Sequence, residues 1–230
     1  MDRRSLLKFA AGSAMLTLVP SQAILAAGQG RKMAMVFDVR RCTGCMACTV
    51  SCSIENQVTK GMGRTRVTQY SLAHAGKLKT LALPNQCNHC EHPECVKVCP
   101  KDATYKRKED GIVVIDQERC IRCQRCVKAC PYGARRRGEL MKTPPEHCNF
   151  CIHRTTQGLL PACVETCVGE ARLFGDLNDP SSQVHQAVKN NRVYTLLSDS
   201  GTQPNIYYIG LPEDFADQEV LALSHLDWQR

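Results

Sequence analysis

Sixteen cysteines in four groups of four, with none left over, constrain this chain of 230 residues more than any other feature. In the first and third groups the spacing is C-x2-C-x2-C-x3-C. In the second and fourth, a C-x2-C pair is followed after four or eleven residues by a C-x3-C pair. Because only 5% of the residues are aromatic, thiol chemistry is expected to help hold the fold together. The quartets are Cys42, Cys45, Cys48 and Cys52; Cys87, Cys90, Cys95 and Cys99; Cys120, Cys123, Cys126 and Cys130; and Cys148, Cys151, Cys163 and Cys167.

The residues around the cysteines repeat together with them. The segment "FDVRRCTGCMACTVSC" (37–52) aligns without a gap on "IDQERCIRCQRCVKAC" (115–130). In the same way "CNHC" matches "CNFC", and "CVKVC" matches "CVETC". The sequence therefore predicts an internal duplication of the form A-B-A-B.

Three kinds of chemistry compete to explain the quartets. Disulfides are usual in exported proteins, but cysteines two residues apart are poorly placed to pair with one another. A zinc site needs two C-x2-C pairs and has no use for a third cysteine at C-x2-C-x2-C. A cubane iron–sulfur cluster uses every residue, because C-x2-C-x2-C binds one cluster while the fourth cysteine reaches another, as in bacterial ferredoxins.

Because each quartet lends one ligand to another, the quartets are expected to work in pairs. The sequence predicts four [4Fe-4S] clusters in an α+β fold of two ferredoxin-like lobes, each binding two clusters. Four histidines lie among the cysteines, but sixteen thiols suffice for four clusters, so no histidine ligand is predicted. The sequence has no P-loop, dinucleotide fingerprint, nucleophile elbow or metal-hydrolase pair, so no catalytic residue is predicted.

The formal charge of +8 suggests an anionic partner such as nucleic acid only while every cysteine is counted as neutral. A [4Fe-4S] cluster held by four thiolates carries about 2−, so four clusters would cancel this charge and no nucleic-acid partner is predicted. Arg122, Arg125 and Lys128 are then candidate counterions that raise the potential of nearby clusters, with solvated surface side chains as the alternative. The arginines at 135–137 are expected to form a solvated turn.

Residues 1–27 are predicted to be a targeting segment. The motif "DRRSLLK" (2–8) precedes an apolar run at 9–19, which is too short to span a bilayer. It resembles a cleaved twin-arginine export signal, with a Sec signal or an uncleaved anchor as alternatives, and predicts a periplasmic protein. No later segment is long and apolar enough to span a membrane, so membrane association is expected only through a partner.

The remaining pattern predicts short elements around the quartets. Short helices are expected near the last cysteine of each quartet, and Asp179-Pro180 is expected to open a helix that ends near Asn190. Residues 57–82 show the least pattern and are expected to form an irregular surface excursion. Strands are predicted at 33–39, 111–116, 192–197 and 206–209.

The quartets, their alternation and the export signal together resemble the iron–sulfur (beta) subunits of the molybdopterin oxidoreductase family. This family includes dimethyl sulfoxide, polysulfide, thiosulfate, arsenate and tetrathionate reductases. The likeness covers residues 33–210. Segments such as "RRCTGCMACTVSCSIENQ" (40–57) and "GLLPACVETCVGEARLFGDLNDP" (158–180) look most like the tetrathionate reductase branch.

The resemblance implies which cysteines share a cluster, because the family pairs the first quartet with the fourth and the second with the third. Residues 28–86 and 146–190 would form the first lobe, 87–145 the second, and 191–230 a C-terminal extension. The implied ligand sets are Cys42, Cys45, Cys48 and Cys167; Cys52, Cys148, Cys151 and Cys163; Cys87, Cys90, Cys95 and Cys130; and Cys99, Cys120, Cys123 and Cys126.

By the same resemblance, the chain is a non-catalytic electron-transfer subunit of anaerobic respiration. Electrons would pass from a membrane quinol-oxidising subunit through the four clusters to a molybdopterin catalytic subunit that reduces tetrathionate or another sulfur oxyanion. Alternatives are an iron–sulfur subunit of a different complex (thiosulfate, polysulfide, arsenate or dimethyl sulfoxide reductase, formate dehydrogenase or hydrogenase), a free-standing polyferredoxin, or a zinc- or disulfide-stabilised binding protein.

Overall fold

The computed structural model describes residues 30–58, 61–74, 77–137, 142–212 and 220–224, and the predicted targeting segment 1–27 lies outside them. None of the helices in these ranges is long and apolar enough to cross a membrane. The strands are β1 (Met33–Asp38), β2 (Thr65–His74), β3 (Lys77–Gln86), β4 (Thr104–Lys106), β5 (Val113–Ile115), β6 (Arg172–Asp176), β7 (Val193–Tyr194), β8 (Ile206–Ile209) and β9 (Val220–Ser224). The helices are α1 (Ala47–Glu55), α2 (Glu94–Lys97), α3 (Arg125–Lys128), α4 (Ile152–Thr155), α5 (Ala162–Glu165) and α6 (Gln183–Asn190).

A four-stranded sheet in the order β6-β1-β8-β7 forms the centre of the molecule. Strand β1 is antiparallel to β6 and parallel to β8, and its residues 34–37 are completely buried. This uninterrupted apolar run is typical of a strand covered on both faces. The strands predicted at 33–39 and 206–209 are confirmed, whereas the strand expected at 192–197 is reduced to the two residues of β7.

The expectation of an irregular excursion over residues 57–82 is wrong. Strands β2 and β3 pair antiparallel along ten residues each, and β9 pairs with the other edge of β2. Val67, Leu81 and Leu83 are buried in the main hydrophobic core. Polar residues also occupy buried positions of this hairpin, including Thr65, Ser71 and Gln86, and they dilute the hydrophobic signal.

Helix α6 ends at Asn190 as predicted but begins three residues later than the expected first helical position, Pro180. Its N-cap is Ser182, whose Oγ accepts a hydrogen bond from the backbone N–H of Val184 (3.3 Å). Asp179 instead accepts from the N–H of Ser181 (2.8 Å) and holds the turn before the helix. Asp179 and Ser182 can both cap the N-terminus of a helix, and the helix begins after the later one, Ser182.

The short helices place the cysteines. Helices α2, α3 and α5 each end two residues before the last cysteine of a quartet, while α1 runs through Cys52. The segment predicted as a strand at 111–116 contains β5, which forms a two-stranded sheet with β4. One hydrophobic core cluster includes cysteines of the first, second and fourth quartets together with Phe37 and Tyr208 of the central sheet. The cysteine loops are therefore anchored on a common core.

Candidate functional site

The thiols gather in four groups that combine different quartets. Site I is a pocket lined by Cys42, Cys45, Cys48 and Cys167; site II is lined by Cys52, Cys148, Cys151 and Cys163; and site IV is lined by Cys99, Cys120, Cys123 and Cys126. The remaining cysteines form site III. There burial raises the pKa of Cys87 and Cys90, and the neighbouring thiols of Cys95 and Cys130 raise it further.

Left-handed backbone conformations shape the C-x2-C-x2-C loops. Gly44 and Met46 have φ of 73° and 65° in the first quartet, and Arg122 and Gln124 have φ of 60° and 62° in the third. Non-glycine residues rarely adopt a positive φ, so three of these four positions depart from the usual backbone preference. The loop thereby turns between successive cysteines, and these come to line one pocket.

The four sites form a row. Beyond the effect of burial, the pKa of Cys163 in site II is raised by Cys48 of site I, that of Cys148 in site II by Cys87 of site III, and that of Cys95 in site III by Cys126 of site IV. Such effects require the thiols to lie close together. The order along the row is therefore I-II-III-IV.

Exposure to solvent differs along the row. Cys45 of site I and Cys123 of site IV are exposed, whereas all four thiols of site II are buried and none in site III is exposed. Exposed apolar side chains adjoin the two outer sites: Val168 beside Cys167 is 87% exposed, and Ile121 is 55% exposed. The row is thus open at both ends and closed in the middle.

Eight of the sixteen thiols have a raised pKa, so an uncompensated thiolate is unfavourable there. Burial raises the pKa of Cys52 to about 12 and those of Cys90 and Cys163 to about 11. Cys99 is an exception, since backbone N–H groups, including that of Thr104, outweigh the effect of burial and lower its pKa. A group that binds these sulfurs as thiolates must itself bring positive charge.

Arg172 supplies a buried positive charge between sites I and II. Its Nη2 donates to the Sγ of Cys48 (3.2 Å) and to the Oγ1 of Thr65 (3.0 Å), while its Nη1 donates to the Oε1 of Gln86 (3.0 Å). Burial alone would lower the pKa of this guanidinium, but Cys163, Cys48 and Cys167 raise it above its usual value. Arg172 was not among the functional residues predicted from the sequence.

Arg135 occupies a similar place between sites III and IV, and the expectation that residues 135–137 form a solvated turn is wrong for it. It is only 3% exposed, and its charge opposes the rise that burial causes in the pKa of Cys87, Cys95 and Cys126. Conversely, Arg122, Arg125 and Lys128 are all surface residues rather than buried ones, so the surface alternative holds for the three candidate counterions. For a long basic side chain, keeping the charged end in water costs less free energy than burying it.

Hydrogen-bond donors surround the sulfurs. Asn56 donates from Nδ2 to the Sγ of Cys151 (3.5 Å), and the backbone N–H groups of Phe150 and Ala171 donate to the Sγ of Cys148 (3.4 Å) and of Cys167 (3.3 Å). Other buried donors find no acceptor among the described residues: Nε2 of Gln124 and Nε2 of His89. Buried donors without partners beside cysteine pockets fit an anionic group rich in acceptor sulfurs, as an iron–sulfur cluster is.

The histidines among the quartets make other contacts. His89 and His147 are buried, and burial lowers the pKa of His89 to about 3, so both rings are neutral. The Nδ1 of His89 accepts from the backbone N–H of Val113 (3.0 Å). His153 pairs with Glu55 (2.8 Å), and His92 is exposed.

Comparison with known proteins identifies the family. Models described as "4Fe-4S dicluster domain" and "4Fe-4S binding domain" match residues 78–177 and 41–63. A tetrathionate reductase subunit of Salmonella typhimurium is 48% identical over 188 residues, which cover 80% of this chain and 74% of the relative. The chain belongs to the iron–sulfur (beta) subunits of the molybdopterin oxidoreductase family.

Two further relatives support the assignment to the beta subunits. A selenate reductase subunit of Mesobacillus selenatarsenatis is 38% identical over 76% of this chain and 70% of its own length. The putative dimethyl sulfoxide reductase iron-sulfur subunit of Halobacterium salinarum is 39% identical over 76% of this chain and 78% of its own length. This beta subunit is thus an electron-transfer protein with 4Fe-4S ferredoxin-type domains, and the predicted family and function are confirmed.

Proposed function

We propose that this beta subunit holds four [4Fe-4S] clusters, one in each of sites I to IV, and relays electrons along the row between two partner subunits. The single observation that carries the proposal is the row itself, which is contiguous, buried in the middle and open at both ends. When bound, the clusters supply one-electron reduction and reoxidation. The chain's own residues fix the positions of the thiols, exclude water from sites II and III, and donate hydrogen bonds to sulfur.

The proposed ligand sets are the thiol groups that define the four sites. Neither competing explanation of the cysteines is supported. All sixteen cysteines are free, so the structure has no disulfide among them. Within the described residues, no three His, Cys, Asp or Glu side chains converge as the ligands of a single metal ion would. A zinc site requires such convergence at about 2.3 Å from each sulfur.

We further infer that the chain arose by the A-B-A-B duplication. Equivalent residues of the repeat share unusual backbone conformations: Gly44 with Arg122, and Met46 with Gln124, all have positive φ. They also share hydrogen bonds. The N–H of Asp38 donates to the carbonyl oxygen of Ala171 (2.9 Å), and the N–H of Asp116 donates to that of Ala103 (2.7 Å). The two alanines are equivalent, because Ala171 follows Cys167 by four residues and Ala103 follows Cys99 by four. Two copies of one local fold account for these matches.

The proposed partners are a molybdopterin catalytic subunit at site I and a membrane-anchored quinol-oxidising subunit at site IV. The exposed apolar side chains of Val168 and Ile121 adjoin these outer sites and suit contact with a partner protein. Tetrathionate or another sulfur oxyanion is the proposed terminal acceptor, because the relative at 48% identity is a tetrathionate reductase subunit. We propose a periplasmic location, reached through the twin-arginine-like segment at 1–27.

Copurification tests this proposal. The chain, tagged at its C-terminus, is purified anaerobically from its native host, and the preparation is assayed for reduction of tetrathionate, thiosulfate, polysulfide and arsenate. We expect a large molybdopterin subunit to copurify and tetrathionate to be reduced. Copurification with reduction of another acceptor would retain the relay and change the substrate. A brown chain that elutes alone and inactive would instead favour a free-standing polyferredoxin.

A further inference from the structure

Two buried arginines stand between neighbouring sites, and neither belongs to a proposed ligand set. Arg172 lies five residues after Cys167, and Arg135 lies five residues after Cys130. Cys167 and Cys130 are the last cysteines of the later quartet in each proposed lobe, and each contributes to a site mainly built by the earlier quartet. Each lobe thus contains one buried guanidinium at the same offset.

Arg172 is held so that its charge reaches two sites at once. The contact of its Nη2 with the Sγ of Cys48 (3.2 Å) belongs to site I, and its guanidinium is also hydrogen-bonded to the thiol of Cys163 in site II. Its guanidinium lies over the ring of Phe37, with 4.7 Å between its Cζ and the ring centroid. The cation is therefore enclosed by an aromatic face, two neutral polar groups and sulfur.

Arg135 makes the corresponding bridge between sites III and IV. Its guanidinium is hydrogen-bonded to the thiols of Cys95 in site III and Cys126 in site IV. Its Nη1 also donates to the Oγ1 of Thr104 (3.4 Å), and the residue is only 3% exposed. A guanidinium buried in this way requires anionic neighbours to be stable.

We propose that Arg172 and Arg135 are positioning residues that set the reduction potentials of sites in pairs, Arg172 for sites I and II and Arg135 for sites III and IV. Uptake of one electron makes a site more negative by one charge, and a fixed cation beside two sites favours that charge in both. The potentials of the two sites within a lobe are therefore raised together. This inference rests on the proposed function, because it assumes that the sites hold clusters.

Redox titration of the anaerobically prepared complex, followed by electron paramagnetic resonance, tests the inference. In Arg172→Gln we expect the equilibrium constants for one-electron reduction of sites I and II to fall at least tenfold, which lowers each reduction potential by about 59 mV. The constants of sites III and IV should change less than threefold. Arg135→Gln is expected to give the opposite pattern. Arg172→Lys retains the charge and should keep all four equilibria within threefold of the wild type.

Arg137→Gln is the matched control, because this arginine is exposed and lies two residues after the buried Arg135. It should change no equilibrium more than threefold. The inference is overturned if Arg172→Gln shifts only one site or none, if Arg172→Lys shifts sites I and II tenfold, or if the control shifts as strongly. If Arg172→Gln does not retain its clusters, Arg172→Lys and Arg135→Gln decide by the same criteria. A wild-type preparation with fewer than four clusters would instead refute the proposed function.

Discussion

Truncation of Phe150 tests the packing that joins the two middle sites. Phe150 follows Cys148 of site II by two residues, and His89 follows Cys87 of site III by two residues. Both side chains are completely buried, and their ring centroids are 3.8 Å apart, while Phe174 packs against Phe150 from 5.1 Å. The two residues occupy the same position of "CNHC" and "CNFC", so the contact brings equivalent parts of the repeat together.

Phe150→Ala removes a completely buried ring, and such a change costs about 3–5 kcal/mol of unfolding free energy. In a chain of this size each kcal/mol lowers Tm by about 2–4 °C, so the expected decrease is about 6–20 °C. Thermal unfolding of the anaerobic protein, followed by circular dichroism and visible absorbance at one scan rate, measures it. We expect cluster absorbance to be lost together with secondary structure, because Phe150 belongs to the same core cluster as Cys148.

Two controls separate this effect from general fragility. Phe150→Leu keeps most of the buried volume and should cost less than about 1.5 kcal/mol. Leu159→Ala changes a side chain that is 48% exposed, and should stay within about 0.5 kcal/mol of the wild type. If Phe150→Ala melts at the same temperature as Leu159→Ala, the ring does not hold the middle of the row together.

Two further predictions concern the outer sites. In Gly169→Ala the new Cβ would clash with the carbonyl oxygen of Arg41, so we expect a loss of about 1–3 kcal/mol of unfolding free energy and loss of iron at site I. Gly63→Ala is the control, because its new Cβ would have its nearest contact at 3.6 Å. Elemental analysis should show full iron content in this control. On controlled exposure to air, sites I and IV should lose iron before sites II and III, because Cys45 and Cys123 are exposed. Mass spectrometry of oxidised cysteines checks this order, and earliest oxidation at site II would contradict it.

The features of the fold that depend on residues close together in the sequence could be predicted. The quartet spacing sufficed to propose the cofactor-binding residues, since three of the four thiols at each site belong to one quartet, whereas the pairing of quartets was implied only by the family resemblance. Strand β1 could be predicted because its apolar run is covered on both faces. The hairpin of β2 and β3 was missed because polar residues such as Thr65, Ser71 and Gln86 occupy buried positions in it, and such a segment resembles a loop in composition.

Contacts between distant parts of the chain could not be predicted. Arg172 touches Cys48, which lies 124 positions away, and nothing beside it in the sequence marks it as buried. Arg135 was grouped with its two arginine neighbours, although burial separates it from Arg137, which is exposed. Arg122 and Arg125 lie closer to cysteines in the sequence than Arg135 and Arg172 do, yet they are exposed. Only the folded chain therefore shows which positive charges face the sulfurs.

The iron and acid-labile sulfide content of the anaerobically purified chain tests the central claim most directly. Four [4Fe-4S] clusters on sixteen cysteines require about sixteen irons and about sixteen sulfides per chain. We expect these values in a brown protein that gives several overlapping electron paramagnetic resonance signals after reduction. A colourless protein with zinc or disulfides and no labile sulfide, or a chain saturated at about eight irons, would contradict the presence of four clusters.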